Sequence, residues 1–282
     1  MYRLISYSAL VLALLITTTS MAAKDNFPGR KLFPDVQPIS LEELNQNFKN
    51  VIVVDARTRY EYDTIRIVGS YSALVSKSDF EDKIRNLRER SDKPIVFYCN
   101  GHTCFKSYKA ARRAQEAGIK NVLVFDAGIF HWARTYPDKA VLLGQSPVRV
   151  SDLISKKDFK KRLLSSEEFQ RRTSRPDVLV LDVRSRLQRG AAGLFPFEEK
   201  FASLDNKKKL DRFINKALRE KKTVLAYDAV GKQVRWFEYY LRKKGVKNYY
   251  FLEKGADGYF SYLAIQQNSS DVSKAVAKVS KK

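Results

Sequence analysis

Val51-Ile52-Val53-Val54-Asp55-Ala56-Arg57 returns as Val178-Leu179-Val180-Leu181-Asp182-Val183-Arg184, 127 positions further along the chain. A second pair keeps the same offset. Gly118-Ile119-Lys120-Asn121-Val122-Leu123-Val124-Phe125-Asp126-Ala127-Gly128 returns as Gly245-Val246-Lys247-Asn248-Tyr249-Tyr250-Phe251-Leu252-Glu253-Lys254-Gly255. Two anchors at one offset indicate a duplication. The period is the size of a domain, so the chain is two copies of one unit and not a solenoid.

Each copy alternates short β-rich runs with helical stretches. In the first, Ser40-Leu41-Glu42-Glu43 is a capping box that opens a helix. Residues 51–55, 94–98 and 121–125 read as buried strands. Residues 79–90 read as a helix with Phe80, Ile84 and Leu87 on one face, and 105–117 as a helix ended by Gly118. The second copy repeats this with strands at 178–181, 223–227 and 248–252 and helices at 209–219 and 233–244. Apolar strands alternating with helices imply an α/β fold with a mostly parallel sheet flanked by helices in each copy. The domains expected are 38–145 and 160–265. A polar tail at 266–282, ending in Lys281-Lys282, reads as disordered or as a frayed helix.

The N-terminus reads separately. Arg3 precedes the apolar run from residue 9 to residue 16, which turns polar at Thr17 and reaches small residues at Met21-Ala22-Ala23. This is the order of a secretory signal peptide over residues 1–23. The run is short for a membrane span, which needs about 20 apolar residues; an uncleaved anchor is the competing reading. A periplasmic or secreted protein without an integral membrane segment is expected. Composition supports a folded body, with 44% hydrophobic and 30% charged residues among 282. The formal charge of +22 attracts anions. Export and the scattered placing of Lys207-Lys208-Lys209, Lys221-Lys222 and Lys243-Lys244 argue against nucleic acid and for a solvated basic surface or a small anionic substrate. Cys99 and Cys104 are the two cysteines. They are too few for a disulfide framework but enough for one bridge in an oxidising compartment.

Both cysteines fall in Tyr98-Cys99-Asn100-Gly101-His102-Thr103-Cys104-Phe105-Lys106-Ser107, between a strand and a helix. Ligands of parallel α/β sheets bind at the carboxyl ends of strands. A thiol there sits in a ring of backbone N–H groups at the positive end of a helix. Both features are expected to lower the pKa of Cys99 and to hold an anionic adduct. Cys99 is the candidate nucleophile. Asn100, Gly101, His102, Thr103, Phe105, Lys106 and Ser107 form the anion cradle, with Lys106 adding a cation to its rim. Cys104 is a candidate resolving or redox thiol, or half of a structural bridge with Cys99. Asp55 and Arg57 read as supporting residues at a strand end.

The first copy resembles the rhodanese family of sulfurtransferases. Asp55-Ala56-Arg57, then Glu61, Tyr62, Ile67 and Gly69, fit its opening pattern, while Ile65, Arg66 and Ser70 depart from it. Ser107 and Ala110 match the end of its active loop, with Lys106 in the arginine place. Ala127-Gly128 and Trp132 resemble its closing motif. The resemblance implies two tandem rhodanese-like domains and a Cys99 persulfide that carries sulfane sulfur from an anionic donor to a thiophilic acceptor, without cofactor or metal. Two departures stand out. Nineteen positions separate Cys99 from Gly118, whereas 17 separate the matching Asp228 from Gly245, so the first loop is two residues longer. The phosphatase relatives use C-x5-R, but Phe105 stands in the arginine position here. In the second copy Asp228 occupies the nucleophile's place. It cannot carry a persulfide, so that domain is expected to be inactive, its carboxylate either filling its own cradle or capping a helix.

Three functions follow as expectations. The leading one is an exported sulfurtransferase. The others are a thiol-redox protein using Cys99 and Cys104, and a non-enzymatic module that binds an anionic or protein partner; the partners expected are a small anionic sulfur donor and a protein thiol.

Overall fold

The computed structural model describes residues 27–190 and 193–279. The segment read as a signal peptide lies outside them, as do Lys281 and Lys282.

In the first lobe α1 (Pro28–Leu32) and α2 (Leu41–Gln46) precede β1 (Ile52–Asp55). Then come α3 (Arg59–Thr64), β2 (Ile65–Ile67), β3 (Tyr71–Ser72), α4 (Phe80–Glu89), β4 (Ile95–Tyr98), α5 (Lys106–Glu116), β5 (Val122–Phe125), α6 (Gly128–Thr135) and β6 (Ala140–Leu142). The sheet order is β3-β1-β4-β5, all parallel. β2 and β6 pair antiparallel beside it. The second lobe runs α7 (Lys156–Lys160), β7 (Leu163–Leu164), α8 (Ser166–Thr173), β8 (Val178–Asp182), α9 (Arg186–Arg189), β9 (Glu199–Phe201), α10 (Lys207–Arg219), β10 (Thr223–Tyr227), α11 (Val234–Lys243), β11 (Tyr249–Leu252) and α12 (Gly255–Val279). Its sheet order is β7-β11-β10-β8-β9, again parallel. Asp55 pairs in register with Tyr98, and Asp182 with Tyr227. The duplication seen in sequence is therefore a duplication of sheet position.

Local chemistry explains these elements. Ser40 accepts the Glu43 N–H while the Glu43 carboxylate accepts the Ser40 N–H, closing the capping box of α2. Thr58 and Glu61 do the same for α3, which the sequence reading had passed over. Every residue of β4, Ile95-Val96-Phe97-Tyr98, is buried, as a central parallel strand covered on both faces requires. α5 ends at Gly118, which takes a left-handed φ of 78°. The tail read as disordered or as a frayed helix is helical in the described residues, with α12 running to Val279. One apolar core joins the two lobes, with Phe130, Trp132 and Phe125 from the first and Trp236, Phe237 and Phe251 from the second.

Candidate active site

β4 ends at Tyr98 and hands Cys99 to the carboxyl edge of the sheet. The loop that follows is clamped from behind by the start of α6. The Ile129 N–H donates to the Cys99 carbonyl at 3.0 Å. Gly128 has a φ of 74°, and a Cβ there would lie 2.3 Å from the Gly101 nitrogen. Only glycine permits this approach, since both the left-handed backbone and the space exclude a side chain.

The two thiols are free and close enough to shift each other's acidity. Cys99 is fully buried. Its S–H donates to the Cys104 carbonyl at 3.0 Å, and its sulfur lies 3.3 Å from Ser107 Oγ. Burial, then the Cys104 sulfur, push the Cys99 thiol well above its ordinary range. Cys104 is only half-buried. The neighbouring Cys99 thiol favours its thiolate and, against the opposing effect of burial, so do the backbone N–H groups of Asn100 and Lys106 and the Lys106 charge. Its thiol is pulled down to about 6. The loop N–H groups thus leave Cys104 as the more acidic thiol, while the Ser107 N–H and hydroxyl at the helix start lower the Cys99 thiol but are outweighed by its burial. The expectation that the Cys99 pKa falls is corrected, because Cys99 is fully buried and the cost of desolvating its thiolate outweighs the donors that reach it.

A buried polar chain fixes the loop. Arg57 and Asp55 are both fully buried and doubly bonded, Nε to Oδ1 at 2.8 Å and Nη2 to Oδ2 at 2.6 Å. Arg57 Nη1 donates to Asn100 Oδ1 at 3.0 Å. Asn100 Nδ2 donates to Glu61 Oε1 at 3.0 Å, and Lys106 Nζ to Glu61 Oε2 at 3.2 Å. Burial raises the Glu61 pKa, but Lys106 and Arg57, helped by Asn100 and the Thr58 N–H, outweigh it and hold the carboxyl at about 2. Sequence reading matched Glu61 to a motif without giving it a task; the detectable signal was its place three residues after Thr58.

The rest of the loop faces outward. His102 and Thr103 are exposed. The His102 ring packs on Phe27 with centroids 4.2 Å apart, and lies 6.4 Å from the His131 ring. Phe105 packs toward Phe33. Ser107 is buried under Cys99. Among the described residues no group of three or more His, Cys, Asp or Glu side chains could hold a metal ion.

Lobe two has the same frame with different contents. Arg184 pairs with Asp182 as Arg57 does with Asp55. The Ala256 N–H donates to the Asp228 carbonyl at 2.8 Å, and a Cβ on Gly255 would strike that carbonyl and the Gly231 nitrogen. The Asp228 carboxylate accepts four loop N–H groups, from Val230 at 3.0 Å, Val234 at 2.9 Å, Gly231 and Gln233. The cradle exists in this lobe and is filled by its own aspartate.

A family model described as the rhodanese-like domain matches residues 40–135. Lobe one is a rhodanese-like domain. Solved structures are similar to this chain at low identity. A thiosulfate sulfurtransferase from Pseudomonas aeruginosa is 16% identical over 80% of this chain and 42% of its own length, with a TM-score of 0.39. The BH2092 protein from Bacillus halodurans is 22% identical over 47% of this chain and 94% of its own, with a TM-score of 0.36. A rhodanese-related protein from Thermoplasma volcanium is 20% identical over 36% and 93%, with a TM-score of 0.28. No curated protein matches the chain.

Lobe two closes one side of this rhodanese-like domain. Trp236 of α11 is buried, stacks on Phe130 with centroids 5.3 Å apart, and lies 5.2 Å from the Arg57 guanidinium. Arg235 lies 4.5 Å above the other partner, Phe130. Sequence reading did not find this contact, because Trp236 and Arg57 are far apart in the chain and belong to different copies.

Proposed function

We propose that the rhodanese-like domain of lobe one moves sulfane sulfur from an anionic donor to a thiophilic acceptor through a cysteine persulfide formed in the Cys99–Ser107 loop. One observation carries this reading. Two free thiols are held in one strand-to-helix loop, Cys99 bonded to the Cys104 carbonyl and Cys104 beside the N–H groups of Asn100 and Lys106, a setting that stabilises sulfur as an anion. The basic surface, with a formal charge of +22, raises the local concentration of an anionic donor. Lobe two takes no part in the chemistry, since Asp228 supplies no sulfur and occupies the cradle.

Export belongs to the same proposal and rests on the order of residues in the first 23 positions. No helix among the described residues is long and apolar enough to cross a membrane.

The test is cyanolysis. Protein kept reduced by a dithiol and given thiosulfate and cyanide is expected to form thiocyanate catalytically, and the Cys99→Ala/Cys104→Ala double variant to form none. Absence of thiocyanate from the wild type, or an undiminished yield from the double variant, sinks the proposal. Localisation is tested by N-terminal sequencing of the mature protein, expected to begin after Ala23.

A further inference from the structure

We propose that Cys104 is the thiol that receives the sulfane sulfur, and that Cys99 is the buried thiol that expels it as hydrosulfide by closing a Cys99–Cys104 disulfide. This rests on the sulfur-transfer reading above and assigns the parts of its two sulfurs. It reverses the roles that sequence position suggests.

Access decides the first step. Cys99 is fully buried, and its S–H is spent on the Cys104 carbonyl with Ser107 beneath it. A donor arriving from solvent meets Cys104 first, because Cys104 is half-buried and lies one residue before Phe105, the N-cap of α5. The Lys106 side chain, 36% exposed, stands beside it and is held there by Glu61.

The cradle gives an independent reason. In lobe two the N–H groups of Val230, Gly231, Gln233 and Val234 close on the Asp228 carboxylate, so the loop of this fold can hold an anion. In lobe one the Cys104 N–H closes a turn on the Gly101 carbonyl at 2.7 Å, and the N–H groups of Asn100 and Lys106 favour the Cys104 thiolate. The two extra residues of the first loop supply the chain needed to fold that sulfur back over Cys99. Cys104 thus fills the cradle with a nucleophile, as Asp228 fills its own with an inert group.

The chemistry balances. The Cys104 thiolate attacks the outer sulfur of thiosulfate. A Cys104 S–S bond forms, the donor's S–S bond breaks, and sulfite leaves with the electron pair. The Cys99 thiol then attacks the Cys104 sulfur. The Cys99–Cys104 bond forms, the bond to the sulfane sulfur breaks, and that sulfur leaves as hydrosulfide with the proton Cys99 gives up. An external dithiol reduces the disulfide and restores both thiols. One thiosulfate and one dithiol become sulfite, hydrosulfide and a cyclic disulfide. The Cys99 sulfur already lies 3.0 Å from the Cys104 carbonyl, so the second thiol is at hand, whereas a lone persulfide would wait for an outside acceptor.

The test uses full-length protein, thiosulfate and no reductant, with mass spectrometry of each cysteine peptide. Wild type is expected to lose both free thiols and release one hydrosulfide per chain. Cys99→Ser is expected to retain one added sulfur on Cys104, removable by cyanide. Cys104→Ser is expected to load Cys99 at least about a hundredfold more slowly than wild type reacts. A second measurement needs no substitution: limiting iodoacetamide at neutral pH is expected to label Cys104 ahead of Cys99 in the wild-type chain. If Cys104→Ser loads Cys99 at the wild-type rate, or if Cys99 is labelled first, the assignment falls while sulfur transfer stands. If wild type takes up no sulfur, both fall.

Discussion

At the scale of single residues, the site turns on where one proton and one negative charge rest. Cys99 gives its proton to the Cys104 carbonyl, and the less buried Cys104, nearer Lys106, is the more acidic thiol. Alkylation of wild-type Cys104 is therefore expected to reach half its maximal rate near pH 6, and the stopped-flow midpoint gives this directly. The Cys99→Ala variant removes the neighbouring thiol, so its midpoint should move up toward the ordinary thiol value of about 8.5. A midpoint that stays near 6 would show that Cys99 contributes nothing. Glu61 offers a separate test. Its carboxyl is held at about 2 against an ordinary 4.5, so it stabilises the fold above pH 4.5. That contribution is lost as pH falls toward 2. It amounts to something on the order of 3 kcal/mol. In acid unfolding, Glu61→Gln is expected to be less stable than wild type at pH 7 and to lose less stability on acidification.

At the scale of elements, the crossing of the Cys99 loop by the start of α6 is the tightest joint near the site. Gly128→Ala brings a Cβ to 2.3 Å from the Gly101 nitrogen and forces a non-glycine residue to a φ of 74°. Left-handed strain and overpacking together cost about 2–5 kcal/mol. Calorimetry should show a lowered Tm, and loop chemistry should fall even where the fold survives. The matching Gly255→Ala in lobe two is expected to lower Tm by a similar amount and to leave sulfur chemistry largely intact. That contrast separates a structural joint from one that shapes the reacting loop.

At the scale of the whole molecule, the lobe without a nucleophile still touches the lobe that has two thiols. Trp236 covers Phe130 and Arg57, and Arg57 reaches through Asn100 and Glu61 to Lys106. Trp236→Ala removes a large buried ring, at a cost of about 3–5 kcal/mol. It is expected to lower Tm and also to slow loop chemistry, although no part of it contacts a cysteine in the described structure. An unchanged thiocyanate rate at a temperature where the variant is folded would show that lobe two is only a scaffold. Because one core runs through both lobes, wild type is expected to melt in a single calorimetric transition.

Much of this was legible in the sequence, for definite physical reasons. A strand buried on both faces must be an unbroken apolar run, so 51–55, 94–98, 178–181 and 223–227 announced themselves, and the common offset of 127 positions made them two copies of one sheet. The Asp55–Arg57 pair and the loop length were visible too, since both are local in the chain. What only the tertiary structure decided was every relation across chain distance. Which thiol carries the charge depends on which one the folded loop buries. Glu61 and Lys106 meet only because α3 and α5 converge on one edge of the sheet. Trp236 reaches Arg57 only because two copies of a fold pack face to face. Local pattern specifies an element through its own periodicity. Burial, and with it acidity and access, belongs to the neighbours that the rest of the chain brings up.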